Sequence, residues 1–121
     1  MRKSLVIGID FYANFPRLSG CVNDAKQVAQ ILSRNEDGSL NFPQPKLLTS
    51  STNADYVSRA KLRESILQLF QGESEIALLY FAGHGYADEI GGFICASDAA
   101  EGDDGVSLND VITAAKQSRA A

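Results

Sequence analysis

Ile76-Ala77-Leu78-Leu79-Tyr80-Phe81-Ala82, followed at once by Gly83-His84-Gly85, decides how this chain is to be read. A continuous apolar run bounded by turn formers predicts a strand of a mostly parallel sheet, covered by helices. At seven residues the run is far too short to span a membrane. Leu5-Val6-Ile7-Gly8-Ile9 has the same two-sided apolar character and predicts a central strand, with a loop over Asp10 to Gly20 behind it. A helix is expected from Asn23, whose side chain can cap it. Ala25, Val28, Ala29 and Leu32 then recur at helical spacing, with Ile31 widening the stripe. Pro43 and Pro45 lead into a short strand over Lys46 to Thr49, and Ser50 to Asp55 reads as loop. Ser58 to Phe70 predicts a second helix with Leu62, Ile66, Leu69 and Phe70 on one side, stopped by Gly72.

Beyond the histidine, Gly91 and Gly92 precede a shorter strand over Phe93 to Ala96, read as part of a hairpin. Asp98 to Gly105 is an acidic loop. Ser107-Leu108-Asn109-Asp110 has the spacing of a capping box and opens a helix running toward Lys116. Strand, helix, strand, helix, strand in this order predicts an α/β fold with right-handed crossovers and a mostly parallel sheet between helical layers. So few strands, with a helix last in line, predict one domain over residues 1–121 whose sheet is incomplete at the C-terminus.

Bulk properties narrow the function classes. A chain of 121 residues holds one domain with a modest core. With 11 basic against 15 acidic residues and no basic cluster of four, a nucleic-acid footprint is unsupported. Met1-Arg2-Lys3-Ser4 is followed by too short an apolar stretch for a secretory signal. Two cysteines, Cys21 and Cys95, make no disulfide framework, so an unbridged pair in a reducing, cytoplasmic setting is expected. No phosphate-binding glycine loop follows the first strand, which leaves a nucleotide-binding domain unsupported.

His84 is the single histidine, at the C-terminal end of a parallel strand, where open α/β sheets gather their chemistry. Imidazole changes charge near neutral pH and can take a proton from a thiol and return it to a leaving amine. The Gly85 N–H is placed to serve an oxyanion in the same cleft. The bland alternative is a loop histidine that closes a strand. A metal site is not expected, because neither cysteine has ligand spacing to His84.

Tyr80-Phe81-Ala82-Gly83-His84-Gly85 resembles the strand and His-Gly motif of the caspase/metacaspase superfamily. Leu5 to Ile9 resembles that fold's opening strand, and Leu18-Ser19-Gly20-Cys21-Val22-Asn23-Asp24-Ala25 a characteristic metacaspase stretch. Ser97-Asp98 and Leu108-Asn109-Asp110 follow in the same order as in that family, so the resemblance covers essentially the whole chain. It implies a caspase-like three-layer αβα sandwich and a cysteine endopeptidase with His84 as base of a Cys-His dyad and Gly85 as oxyanion donor. It also implies a peptide or protein substrate, with Asp24 in the pocket that takes an arginine or lysine side chain. The plainer alternative for Asp24 is a carboxylate interacting with a helix N-terminus. Caspases that hold an aspartate instead use an arginine where this chain has Leu18, with Arg17 adjacent.

The family's nucleophile follows a further strand, so the chain is expected to supply the histidine half. A C-terminal cysteine-bearing segment or another protomer would complete the sheet. Cys21 sits just before the expected helix, where a thiolate is mildly favoured, and matches an accessory cysteine of metacaspases. Cys95 reads as a buried small hydrophobe. Asp88, Glu89, Asp98, Asp103, Asp104 and Asp110 offer hard oxygen atoms, and some metacaspases bind calcium near here. Asp98 and Asp110 are therefore weak calcium candidates, although the family's paired aspartates become Asn109-Asp110. No other cofactor is implied. The competing function is a caspase-like module that binds peptides or proteins without cleaving them.

Overall fold

Strand β1 (Arg2–Ile9) is the axis of the molecule in the computed structural model, which describes residues 2–89, 91–100 and 105–118. It is followed by α1 (Cys21–Ser33), β2 (Lys46–Ser50), a short 3-10 helix (Asn53–Asp55), α2 (Arg59–Leu69) and β3 (Ile76–Ala82). A second group comprises β4 (Gly85–Ala87), β5 (Gly92–Ile94), β6 (Val106–Ser107) and α3 (Leu108–Gln117). The main sheet has the order β2-β1-β3 and is parallel throughout, with Leu5 opposite Lys46 on one side and Leu79 on the other.

Alternation along β1 builds the layers. Leu5, Ile7 and Ile9 point to one face and are buried with Leu62, Ile66 and Leu69 of α2. Each such side chain contributes about 1.5–3 kcal/mol on removal from water. Gly8 points to the other face, where a Cβ would come within 2.7 Å of the Ala25 Cβ, so α1 lies directly against the strand. Helices on opposite faces are what right-handed crossovers demand when the chain moves first to β2 and then back past β1 to β3. The result is the expected αβα arrangement.

Three local expectations are corrected. Helix α1 starts at Cys21, two residues before the expected Asn23, because its cap comes from elsewhere in the chain. Gly20 occupies the cap position at φ 102°, a left-handed conformation that favours glycine, and offers no side chain. The Asp10 carboxylate accepts instead from the Cys21 and Val22 N–H groups at 2.9 and 3.3 Å. Ile31 is 73% exposed, so the apolar stripe of α1 is narrower than its spacing implied. The short strand spans Gly92–Ile94 and so ends two residues before the expected Ala96, although it forms the expected hairpin, pairing antiparallel with β4 in the separate sheet β4-β5-β6. By contrast, β3 has the bounds read from the sequence, and α2 is capped by Ser58, whose Oγ accepts from the Lys61 N–H at 3.1 Å. Strand β3 is only half-buried because it forms an edge of the main sheet.

Candidate functional site

The loop from Asp10 to Gly20 is too apolar for a solvent loop, with Phe11, Tyr12 and Phe15 inside it. It leaves β1 where Gly8 pairs with Ala82, beside the point where β3 delivers His84. Main-chain bonds fix it there: Ala13 N–H donates to Ser97 C=O and Leu18 N–H to Asp10 C=O, both at 2.9 Å. Tyr12 turns inward and is 4% exposed.

His84 is held by this loop and by the segment after β5. Its main-chain N–H donates to the Tyr12 hydroxyl at 2.7 Å, and its C=O accepts from the Cys95 N–H at 2.9 Å. The Tyr12 hydroxyl in turn donates to the Cys95 C=O at 3.2 Å. Burial drives the Tyr12 phenol well above its usual range, so it stays protonated and keeps donating. The imidazole packs edge-on against the Tyr12 ring at 4.5 Å and tilts against Phe15 at 6.2 Å. Its Nε2 lies 2.9 Å from the Pro16 C=O. A carbonyl only accepts, so this contact assigns the proton to Nε2 and leaves the lone pair on Nδ1.

Glycine before the histidine has a steric cause. A Cβ on Gly83 would sit 2.5 Å from the Tyr12 hydroxyl oxygen and 2.9 Å from the Phe81 ring. Gly85 opens β4 opposite Ile94. Because Cys95 N–H donates to His84 C=O one step outside this pair, Gly85 and Ile94 exchange no ladder bonds. The Gly85 N–H therefore points away from β5.

The remaining candidates occupy the same end of the sheet or none in common. Asp24 is exposed in the first turn of α1, at the edge where His84 stands, and its N–H closes that turn on Gly20 C=O at 2.8 Å. Cys21 is half-buried as the first residue of α1, yet the thiolate expected at a helix start is disfavoured. Burial, then the Asp10 charge, then a hydrogen bond to that carboxylate raise its pKa, with Asp24 adding to the effect. Cys95 is buried, and burial alone raises its thiol. Arg17 is exposed, whereas Leu18 packs on the core.

Asp98 accepts from the Arg59 N–H at 2.9 Å and so caps α2. Asp88 closes the β4–β5 turn by accepting from the Gly91 N–H at 3.1 Å. Asp110 lies in the first turn of α3. Among the described residues no three His, Cys, Asp or Glu side chains gather as a metal ion would require, and Asp103 and Asp104 lie outside them. Sequence reasoning missed Tyr12, Phe15, Pro16 and Asp10. Their one signal was the aromatic content of a stretch read only as loop, with Pro16 taken as punctuation.

A family model described as the caspase domain, peptidase C14, matches residues 1–116. No curated protein matches the chain.

Proposed function

The chain belongs to the caspase-domain family of peptidases, and on that footing we propose that it supplies the histidine half of a cysteine endopeptidase site. The observation that carries the proposal is the bond between His84 Nε2 and the Pro16 C=O at 2.9 Å. It orients the ring, and the same carbonyl stabilises the imidazolium once Nδ1 has taken a proton. The nucleophile is a cysteine outside residues 1–121. Cys95 is buried, and Cys21 is kept as a thiol by burial and by Asp10, which suits an accessory position better than attack.

Chemistry then follows from the groups at this edge. His84 Nδ1 removes the thiol proton, the thiolate attacks the peptide carbonyl, and the Gly85 N–H receives the oxyanion. The imidazolium returns the proton to the leaving amine, and water hydrolyses the thioester. Asp24, exposed at the start of α1, pairs with an arginine or lysine side chain of the substrate, bidentately for arginine. The outer edge of β3, which pairs with no strand among the described residues, receives the strand that leads to the nucleophile, from the same polypeptide or from another protomer.

Cleavage of a peptide with arginine at the scissile position, by the complete protein containing this chain, tests the reading. His84→Ala should lower kcat by about 10²–10⁴-fold with the fold intact, and Asp24→Ala should raise KM for the arginine peptide. Activity that survives His84→Ala sinks the mechanism. A folded complete protein that binds such peptides without cleaving them is the non-catalytic module instead.

A further inference from the structure

One step beyond the paired residues of β4 and β5, a side chain takes the place of a main-chain bond. Gly85 pairs with Ile94, so His84 stands opposite Cys95, and a hydrogen-bonded antiparallel pair exchanges two N–H···O=C bonds. One of these is present, from the Cys95 N–H to the His84 C=O at 2.9 Å. In place of the other stands the Tyr12 hydroxyl, which accepts from the His84 N–H at 2.7 Å and donates to the Cys95 C=O at 3.2 Å. A phenol is thus inserted into the ladder where the chain leaves β3 of the parallel sheet and enters the antiparallel one. Gly83 leaves room for the inserted oxygen, since a Cβ there would lie 2.5 Å from it.

The peptide group joining His84 to Gly85 is what this arrangement holds. Across a trans peptide the C=O and the next N–H point in opposite directions. With the His84 C=O drawn toward Cys95, the Gly85 N–H is turned away from β5, the direction in which it can meet an oxyanion. Glycine alone would not keep it so. It accepts both signs of φ, so the group could rotate and turn its carbonyl outward, where it would repel a developing negative charge. The ladder opposes that rotation, and Tyr12 completes the ladder. Burial keeps the phenol protonated, so it donates and accepts at once.

Resting on the peptidase reading, we propose that Tyr12 is a positioning residue for the oxyanion donor, holding the Gly85 N–H turned outward within this chain before substrate arrives. The imidazole has separate support in the Pro16 C=O. Loss of the hydroxyl should therefore misplace the donor and leave the base in working order.

Tyr12→Phe, in the complete protein and well below its melting temperature, keeps the aromatic ring against the imidazole and removes the inserted oxygen. Hydrolysis of the arginine peptide needs both base and oxyanion donor. Alkylation of the catalytic thiol by iodoacetamide needs the thiolate but forms no oxyanion. For Tyr12→Phe, kcat should fall about 10–100-fold with KM little changed. The alkylation rate and its pH profile should stay as they were. Gly83→Ala, which keeps the phenol but crowds its oxygen, should produce the same split and serves if Tyr12→Phe does not fold. An unchanged kcat, or alkylation slowed as much as hydrolysis, overturns the assignment. His84→Ala separates this role from the reading beneath it. If that variant still cleaves, the peptidase reading fails; if it is inactive while Tyr12→Phe is unimpaired, the role of Tyr12 alone fails.

Discussion

Tyr12→Phe removes one oxygen atom and, with it, the link between the two segments that hold His84. The hydroxyl accepts from the His84 N–H at 2.7 Å and donates to the Cys95 C=O at 3.2 Å, inside a side chain that is 4% exposed. Phenylalanine keeps the ring and its burial, so the loss is confined to two main-chain groups left without a partner. An orphaned group of this kind costs about 1–3 kcal/mol. The longer bond is the weaker, which puts the sum at about 2–4 kcal/mol. For a domain of this size the melting temperature should fall by roughly 8–16 °C.

Gly83→Ala interrogates the same contact from the other side, since the new Cβ would lie 2.5 Å from the Tyr12 oxygen. In the Tyr12→Phe background that collision disappears and only the Phe81 ring, at 2.9 Å, must yield. The two substitutions together should therefore destabilise by about 1 kcal/mol less than the sum of the singles. Calorimetric unfolding of the four proteins measures both quantities. A shift below about 2 °C for Tyr12→Phe, or strict additivity in the cycle, would show that the hydroxyl does not clamp the histidine.

Asp10→Ala removes the acceptor of the Cys21 and Val22 N–H groups, and should cost about 1–3 kcal/mol in urea unfolding. Asp10→Asn retains a carbonyl oxygen and should cost less; equal losses would mean the cap is not what matters. Burial raises the pKa of Cys95 and Tyr12, and burial with Asp10 raises that of Cys21, so the fold favours the neutral form of all three. A raised folded-state pKa gives stability that is complete below the unfolded value, about 8.5 for a thiol. That stability is lost as pH climbs through the folded value. Urea midpoints should thus hold between about pH 7 and 8 and decline above about pH 9, with a shallower decline in Cys21→Ser; an unchanged slope in that variant would exclude Cys21 as a contributor.

What could be read from the sequence was whatever depends on neighbours along the chain. Seven apolar residues from Ile76 to Ala82 specify a strand wherever they pack, and the structure gives β3 those bounds. Ser58 caps α2 from one residue away, and that boundary was legible too. The start of α1 was not, because its cap crosses 11 positions of sequence from Asp10. The site divides in the same way. His84 announced itself by its place after a strand, but the carbonyl that orients it is main chain, and main chain leaves no mark in residue identity. Pro16 acts through an oxygen that every residue carries, and Tyr12 through an approach that shows in the sequence only as the absence of a Cβ at Gly83.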